Sequence, residues 1–242
     1  MCGRYAQSAS MAELVEEFGI TGSTPETPLP ASWNIAPTQE IYILRQSPLN
    51  QQLDLATVSW GLIGHWHKDW ANARASQSHA INARSESIFE KPTFRDSFRK
   101  HRCLIPADGY YEWATELGRY APKQPFYISR KDGHSLSIAG IWSSWVAPNG
   151  ELVETASIIT REAVGILAPI HHRMPVIMPS DRWESWLNPE NREVEELKAL
   201  MEFSEPERGL QVHAVSSAVN TVANNGPTMS DEVPLGEPET LF

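Results

Sequence analysis

Between Ile41 and Trp142 the apolar residues come in short runs, β-branched or aromatic, each closed by turn residues. The runs are IYILR, LATVSWG, RCLIPADGYYEW, PFYIS before Asp132-Gly133, and LSIAGIW. Runs of this length and composition build strands rather than helices, and their spacing points to several antiparallel strands. LVETASIIT is expected to add another, with two more at Pro175 to Met178 and Val212 to Val215.

Helices are expected to interrupt these strands, not to alternate with them. Ser10-x-x-Glu13 forms a capping box, and Met11, Leu14, Val15 and Phe18 follow on one helical face before Gly19. Further helices are expected over about Thr93 to Lys100, Ser180 to Leu187, and about Pro189 to Phe203, where Val194, Leu197, Leu200 and Met201 mark one face. Thr21 to Pro30, rich in Thr, Pro and Gly, reads as a surface loop. The expected fold class is α+β, mainly antiparallel β with peripheral helices, in a single domain over residues 1–242. From about Ala223 an acidic, Pro-containing tail is expected to pack loosely.

The chain is long enough for one sizeable core. No apolar run approaches the roughly 18 residues of a membrane span, and MCGRYAQSAS lacks the apolar stretch of a secretion signal. A cytoplasmic protein without a membrane partner is expected. Cys2 and Cys103 are too few for a disulfide framework or a four-cysteine zinc site. The net charge of -10 argues at first against a polyanionic partner. Its distribution weakens that objection, because residues 181–242 hold 13 Asp+Glu against 4 Lys+Arg, whereas residues 1–180 hold 17 against 16. Arg84, Lys91, Arg95, Arg99, Lys100 and Arg102 form a basic run, read either as a nucleic-acid face or as a solvated helix face.

Cys2 is the residue whose position carries chemistry. Trimming of Met1 would leave an α-amine and a thiol on adjacent carbons, each partly nucleophilic near neutrality. Such a 1,2-aminothiol condenses with an aldehyde to an imine and then closes to a thiazolidine. The alternative is an ordinary small residue beside the start. Glu112, in GYYEW, shares a strand face with Tyr110, opposite Tyr111 and Trp113. Apolar surroundings would raise its pKa and suit it to proton transfer; the alternative is the solvent face of an edge strand. Asn82 and Arg84 sit two apart at a strand end, able to hold a carbonyl and a phosphate, or to cap a turn.

His171 and His172 precede Arg173 in a segment bounded by Pro169 and Pro175, and histidine exchanges protons near neutral pH. Their spacing, and that of His65-x-His67, matches no zincin motif, so no metal site is expected. No G-x-S-x-G elbow, P-loop or dinucleotide fingerprint occurs. Trp60, Trp66 and Trp70 fall in a Gly/His-rich segment and are read either as core filling or as a stacking platform for single-stranded bases.

These residues together resemble the SRAP family, the SOS response-associated peptidase domain of proteins that crosslink to abasic DNA. The likeness runs in order through MCGRYAQ, WNIAPTQ at 33–39, SWGLIG at 59–64, INARSES at 81–87, FRDSFRKHRCLIPADGYYEW at 94–113, IITREA at 158–163, IHHRMPVIM at 170–178 and AVSSAVN at 214–220. It implies a barrel-like β core with helices outside. It also implies that Cys2, freed of Met1, forms a stable thiazolidine with the aldehyde of an abasic site, preferentially in single-stranded DNA, shielding the lesion from strand cleavage. By motif, Asn82 would position the reacting terminus, Glu112 would act as general acid and base, and His171 would move protons. Arg4, Arg84 and Arg173 would contact phosphates, with Asn34, Trp66 and Trp113 shaping the DNA groove. No cofactor is implied. The expected protein is a monomer, cytoplasmic and associated with the nucleoid when bound to DNA.

Three readings follow: a single-turnover crosslinker of abasic DNA, a cysteine-type peptidase acting on its own N-terminus or other peptides, and a non-covalent binding module for modified or single-stranded DNA. Salt sensitivity is common to both DNA readings. Covalency separates them.

Overall fold

The computed structural model describes residues 2–47, 50–115 and 123–235. In chain order its elements are β1 (Tyr5–Gln7), α1 (Met11–Phe18), β2 (Ser32–Ile35), β3 (Glu40–Gln46), β4 (Leu53–Trp60), α2 (Trp70–His79), β5 (Asn82–Arg84) and α3 (Arg95–Lys100). Then come β6 (Arg102–Ala107), β7 (Gly109–Trp113), β8 (Pro125–Arg130), β9 (Leu136–Val146), β10 (Leu152–Glu162), β11 (Arg173–Pro175), α4 (Trp183–Leu187), α5 (Val194–Met201) and β12 (Leu210–Ala214).

The expected α+β class holds, and five strands close into a barrel. β4 pairs antiparallel with β3, β3 with β6 at Leu44↔Leu104, β6 with β9, and β9 with β10. A ring with an odd number of strands cannot be antiparallel throughout. The ring closes through a parallel pair, β10 with β4, at Thr155↔Ser59 and Ala156↔Trp60. Inside, Gly140 of β9 leaves room for Cys103 Sγ and Ile105 Cδ1, each 2.9 Å from where its Cβ would stand. Cys103 is thereby accounted for as core.

Past Ala156 the edge of β10 is free of β4. There β5 pairs parallel to it, Ile158↔Asn82 to Thr160↔Arg84, while β11 pairs antiparallel, Glu162↔Arg173 to Thr160↔Pro175. A second, antiparallel sheet runs in the order β12-β8-β7-β1-β2. One face of it, with Tyr5, Tyr110, Phe126 and Ile128, joins Ile41, Ile43, Val58 and Trp60 of the barrel in one apolar cluster. The other face carries Tyr111 and Tyr127, with Trp33 and Trp113 packed against them. Helices α1, α3, α4 and α5 place Leu14, Phe98, Trp186 and Leu197 against Leu44, Leu104 and Ile141 outside the barrel.

The capping box forms as the sequence requires. Ser10 N–H donates to Glu13 Oε2 at 2.7 Å, Glu13 N–H donates to Ser10 Oγ at 3.3 Å, and Gly19 ends α1 at φ 63°. The two other expected helices that differ do so in length, α3 and α5 being shorter. Helix α2 was not expected. It is capped by Asp69 and buries only Ala73 and Gln77, so it carries little periodicity to read. From Ala223 onward the described residues are tied down: Asn225 Oδ1 accepts from Trp33 N–H at 2.8 Å, and Val233 packs on the main cluster. Among the described residues, no helix is long and apolar enough to cross a membrane.

Candidate active site

The two sheets meet where Cys2, Asn82, Glu112 and His171 converge. Cys2 precedes β1 and is fully buried. Asn82, the first residue of β5, donates from Nδ2 to the Cys2 carbonyl oxygen at 2.8 Å. Glu112 lies on β7, an inner strand between β1 and β8, with 5% of its surface exposed. The solvent-facing alternative for Glu112 is therefore excluded. Alternation along β7 places Tyr110 in the main cluster and Tyr111 in the opposite one, as the sequence pattern requires.

His171 stands just before β11, with Nδ1 3.9 Å from Glu112 Oε2. That nitrogen accepts the backbone N–H of Arg173 at 2.9 Å, which places the proton of the neutral ring on Nε2. The ring stacks on His172, centroids 4.3 Å apart. Burial is the first cause that pushes the His171 pKa down, to about 4, and the charges of His172 and Arg173 act the same way. Burial pushes Glu112 up, so it holds a proton more readily than an exposed carboxylate. The Cys2 thiol is raised well above its ordinary value, first by burial and then by the Glu112 carboxylate. Thiol and carboxylate are thus in electrostatic reach of each other. The phenol of Tyr5, wholly buried, has no hydrogen-bond partner among the described residues.

The residues assigned to a DNA groove separate into two groups. Arg4 Nη1 donates to Asn34 Oδ1 at 2.9 Å and to the Val219 carbonyl at 2.8 Å. Asn34 Nδ2 donates to the carbonyls of Thr221 and Asn224, at 3.0 and 2.7 Å. Trp113 Nε1 donates to Asn220 Oδ1 at 2.7 Å. All three hold the segment 217–224 against β1, β2 and β7. Asn34 is 2% exposed, so in this arrangement its side chain supports the surface from beneath.

Arg84 is exposed and makes no ion pair among the described residues. Trp66 is 43% exposed, between the rings of His65 and His67, on a loop held by Trp145 Nε1 donating to the His67 carbonyl at 2.6 Å. No hydrogen bond or ring contact joins Trp66 to the four converging residues. Trp60, the alternative stacking residue, is fully buried against Tyr5 and belongs to the core. Arg173 is not a free cation. Its side chain is 10% exposed and pairs with both oxygens of Glu86, at 2.7 and 2.8 Å. Glu86 is the residue that sequence reasoning missed; its signal was the alternation Asn82, Arg84, Glu86 within one motif. In the basic run, Arg102 is also removed from the surface, at 2% exposed. Among the described residues no three His, Cys, Asp or Glu side chains gather as a metal site.

The arrangement can hold the backbone of residue 2 still, supply a proton from a buried carboxyl, and accept one on a neutral imidazole. The SOS response associated peptidase (SRAP) family profile matches residues 1–222 of this chain. The chain is 35% identical over 231 residues to abasic site processing protein YoqW of Bacillus subtilis, covering 95% of this chain and 98% of that one. It is 31% identical to abasic site processing protein YedK of Escherichia coli, covering 96% and 100%. A crystal structure of a protein from Bacteroides thetaiotaomicron superposes with a TM-score of 0.85 at 29% identity, covering 96% of this chain and all of that one.

Proposed function

Because the chain belongs to the SOS response associated peptidase family, whose relatives YoqW and YedK are abasic site processing proteins, we propose that it captures abasic sites in single-stranded DNA covalently through Cys2. The observation that carries this reading is the grip of Asn82 on the Cys2 carbonyl, beside a buried carboxyl and a neutral imidazole.

Loss of Met1 converts the Cys2 nitrogen from an amide to a primary amine. That amine adds to the aldehyde carbon of the ring-opened sugar, and the carbinolamine loses water to give an imine. Glu112, biased toward its protonated form, protonates the departing hydroxyl, and His171 accepts the proton shed by the amine. The thiol then adds to the imine carbon. The new S–C bond closes a five-membered ring, the thiol proton is taken up through Glu112, and the former imine nitrogen gains one. One water is released overall, with no oxidant or reductant. Ring closure removes the imine that would otherwise promote β-elimination and strand cleavage. The reaction is a single turnover by a monomer that acts in the cytoplasm.

The test begins with intact mass, to verify that Met1 is absent. The protein is then incubated with a single-stranded oligonucleotide carrying one abasic site and run on a denaturing gel. A heat-stable shifted band that is lost in Cys2→Ala is the expected result. Absence of the band with a verified free Cys2 overturns the reading, as does a band of equal intensity from Cys2→Ala. Turnover on peptides without a DNA adduct would assign the site to a peptidase instead.

A further inference from the structure

Arg173 and Glu86 form a two-point ion pair beside the site, and their burial is unequal. The guanidinium side chain is 10% exposed and the carboxylate side chain 51%. Both Nη atoms are taken: Nη1 donates to Glu86 Oε1 at 2.7 Å, and Nη2 donates to Glu86 Oε2 at 2.8 Å and to the Thr160 carbonyl at 2.7 Å. Two residues before Glu86, Arg84 is exposed and unpaired among the described residues.

We propose that Glu86 is a displaceable counter-charge, whose carboxylate occupies the guanidinium fork of Arg173 in the free protein and is exchanged for a DNA phosphate when a strand binds. This rests on the single-stranded DNA reading above. A carboxylate and a phosphate present two oxygens to a guanidinium in the same fork geometry, so one can replace the other without reorienting the arginine. The asymmetry of burial decides which partner leaves. Glu86 swings into water at small cost, since half of its side chain is already solvated. Arg173 stays aimed, because Nη2 remains held by the Thr160 carbonyl. Arg84, free on the same short segment, attracts the phosphate that makes the exchange. Binding is thereby weaker than the count of arginines suggests.

The experiment is equilibrium binding of an undamaged, fluorescently labelled single-stranded oligonucleotide, followed by anisotropy at several salt concentrations. Glu86→Gln is expected to bind roughly three- to ten-fold more tightly than the unmodified chain, as expected for freeing one charge-assisted pair. Glu90→Gln, which removes a neighbouring exposed carboxylate, controls for the general loss of negative charge and is expected to change binding much less. In an Arg173→Gln background the gain from Glu86→Gln should shrink to that of the control. Binding by Glu86→Gln that is weaker than, or equal to, that of Glu90→Gln would make Glu86 a fixed support of Arg173 and overturn the proposal while leaving the DNA reading intact. If the unmodified chain binds no oligonucleotide and forms no abasic adduct, both readings fall together.

Discussion

Asn82 Nδ2 donates to the backbone carbonyl of Cys2 at 2.8 Å, across 80 positions of sequence. The bond fixes the residue that carries both proposed nucleophiles, amine and thiol, relative to β5 and hence to the barrel. Asn82→Asp keeps the size and replaces the donor with a carboxylate facing that carbonyl. Adduct formation with abasic DNA is expected to slow by about 100-fold, the scale of losing a held reacting geometry. A single-turnover time course measures it, and an unchanged rate would remove Asn82 from the proposed machinery.

Folding stability should carry the signature of His171. Its folded-state pKa is lowered from 6.5 to about 4, by burial first. Between about pH 6.5 and about pH 4 the unfolded chain takes up a proton that the folded chain refuses, so stability falls as pH is lowered through that window. Glu112 acts in the opposite sense. Its pKa is raised by burial, so the folded chain gains a proton earlier and the loss is partly offset. Denaturant titrations from pH 7 to pH 4 should show a shallower loss in His171→Gln and a steeper one in Glu112→Gln. Parallel curves for all three proteins would refute both assignments.

The arginines should divide by salt response. Arg84 is exposed and unpaired among the described residues, so Arg84→Gln is expected to make the dependence of log K on log salt shallower by about 0.7 for single-stranded DNA, one phosphate's worth. Its stability should be unchanged. Arg4 donates to Asn34 and to the Val219 carbonyl, and Arg4→Gln is expected to lower stability by about 1–3 kcal/mol. Equal salt slopes for Arg84→Gln and the unmodified chain would exclude Arg84 from phosphate contact.

What the sequence disclosed was whatever is local. Ser10, Glu13 and Gly19 specify the ends of α1 within ten residues, and the β-branched runs specify β3, β4 and β9. Barrel closure was not legible, because β10 turns parallel to β4 and β5 only in the assembled fold. Strands β1, β2 and β5, of three or four residues, are too short to show a period. The site divides in the same way. Cys2 and Glu112 were recognisable from position and apolar context, which are local. The pairing of Arg173 with Glu86, 87 positions away, was not legible, and neither was the burial of Asn34 under the carbonyls of Thr221 and Asn224. Composition marks an arginine as cationic, yet its availability to a phosphate depends on partners brought from elsewhere in the chain.

Arg102 makes that distinction testable. It belongs to the basic run, but it is 2% exposed and pairs with no carboxylate among the described residues. Its Nε donates to the Trp186 carbonyl at 2.6 Å, Nη1 to those of Phe98 and Arg99 at 3.0 and 2.7 Å, and Nη2 to those of Asn188 and Asn191, the latter at 2.9 Å. All five N–H donors of the guanidinium are thus spent on backbone carbonyls from α3, α4 and the turn after α4. Burial first, and then the charge of Arg192, pulls its pKa down to about 10, still far above neutrality, so the charge persists. Arg102→Met would leave those carbonyls without their donor and is expected to lower stability by about 3–5 kcal/mol. Arg102→Lys should recover only part, since an ammonium offers three donors from one point where five carbonyls are arrayed around a plane. Urea denaturation measures both. Below their unfolding temperatures, both variants should bind single-stranded DNA with the salt slope of the unmodified chain. A shallower slope with unimpaired stability would return Arg102 to the DNA-facing surface.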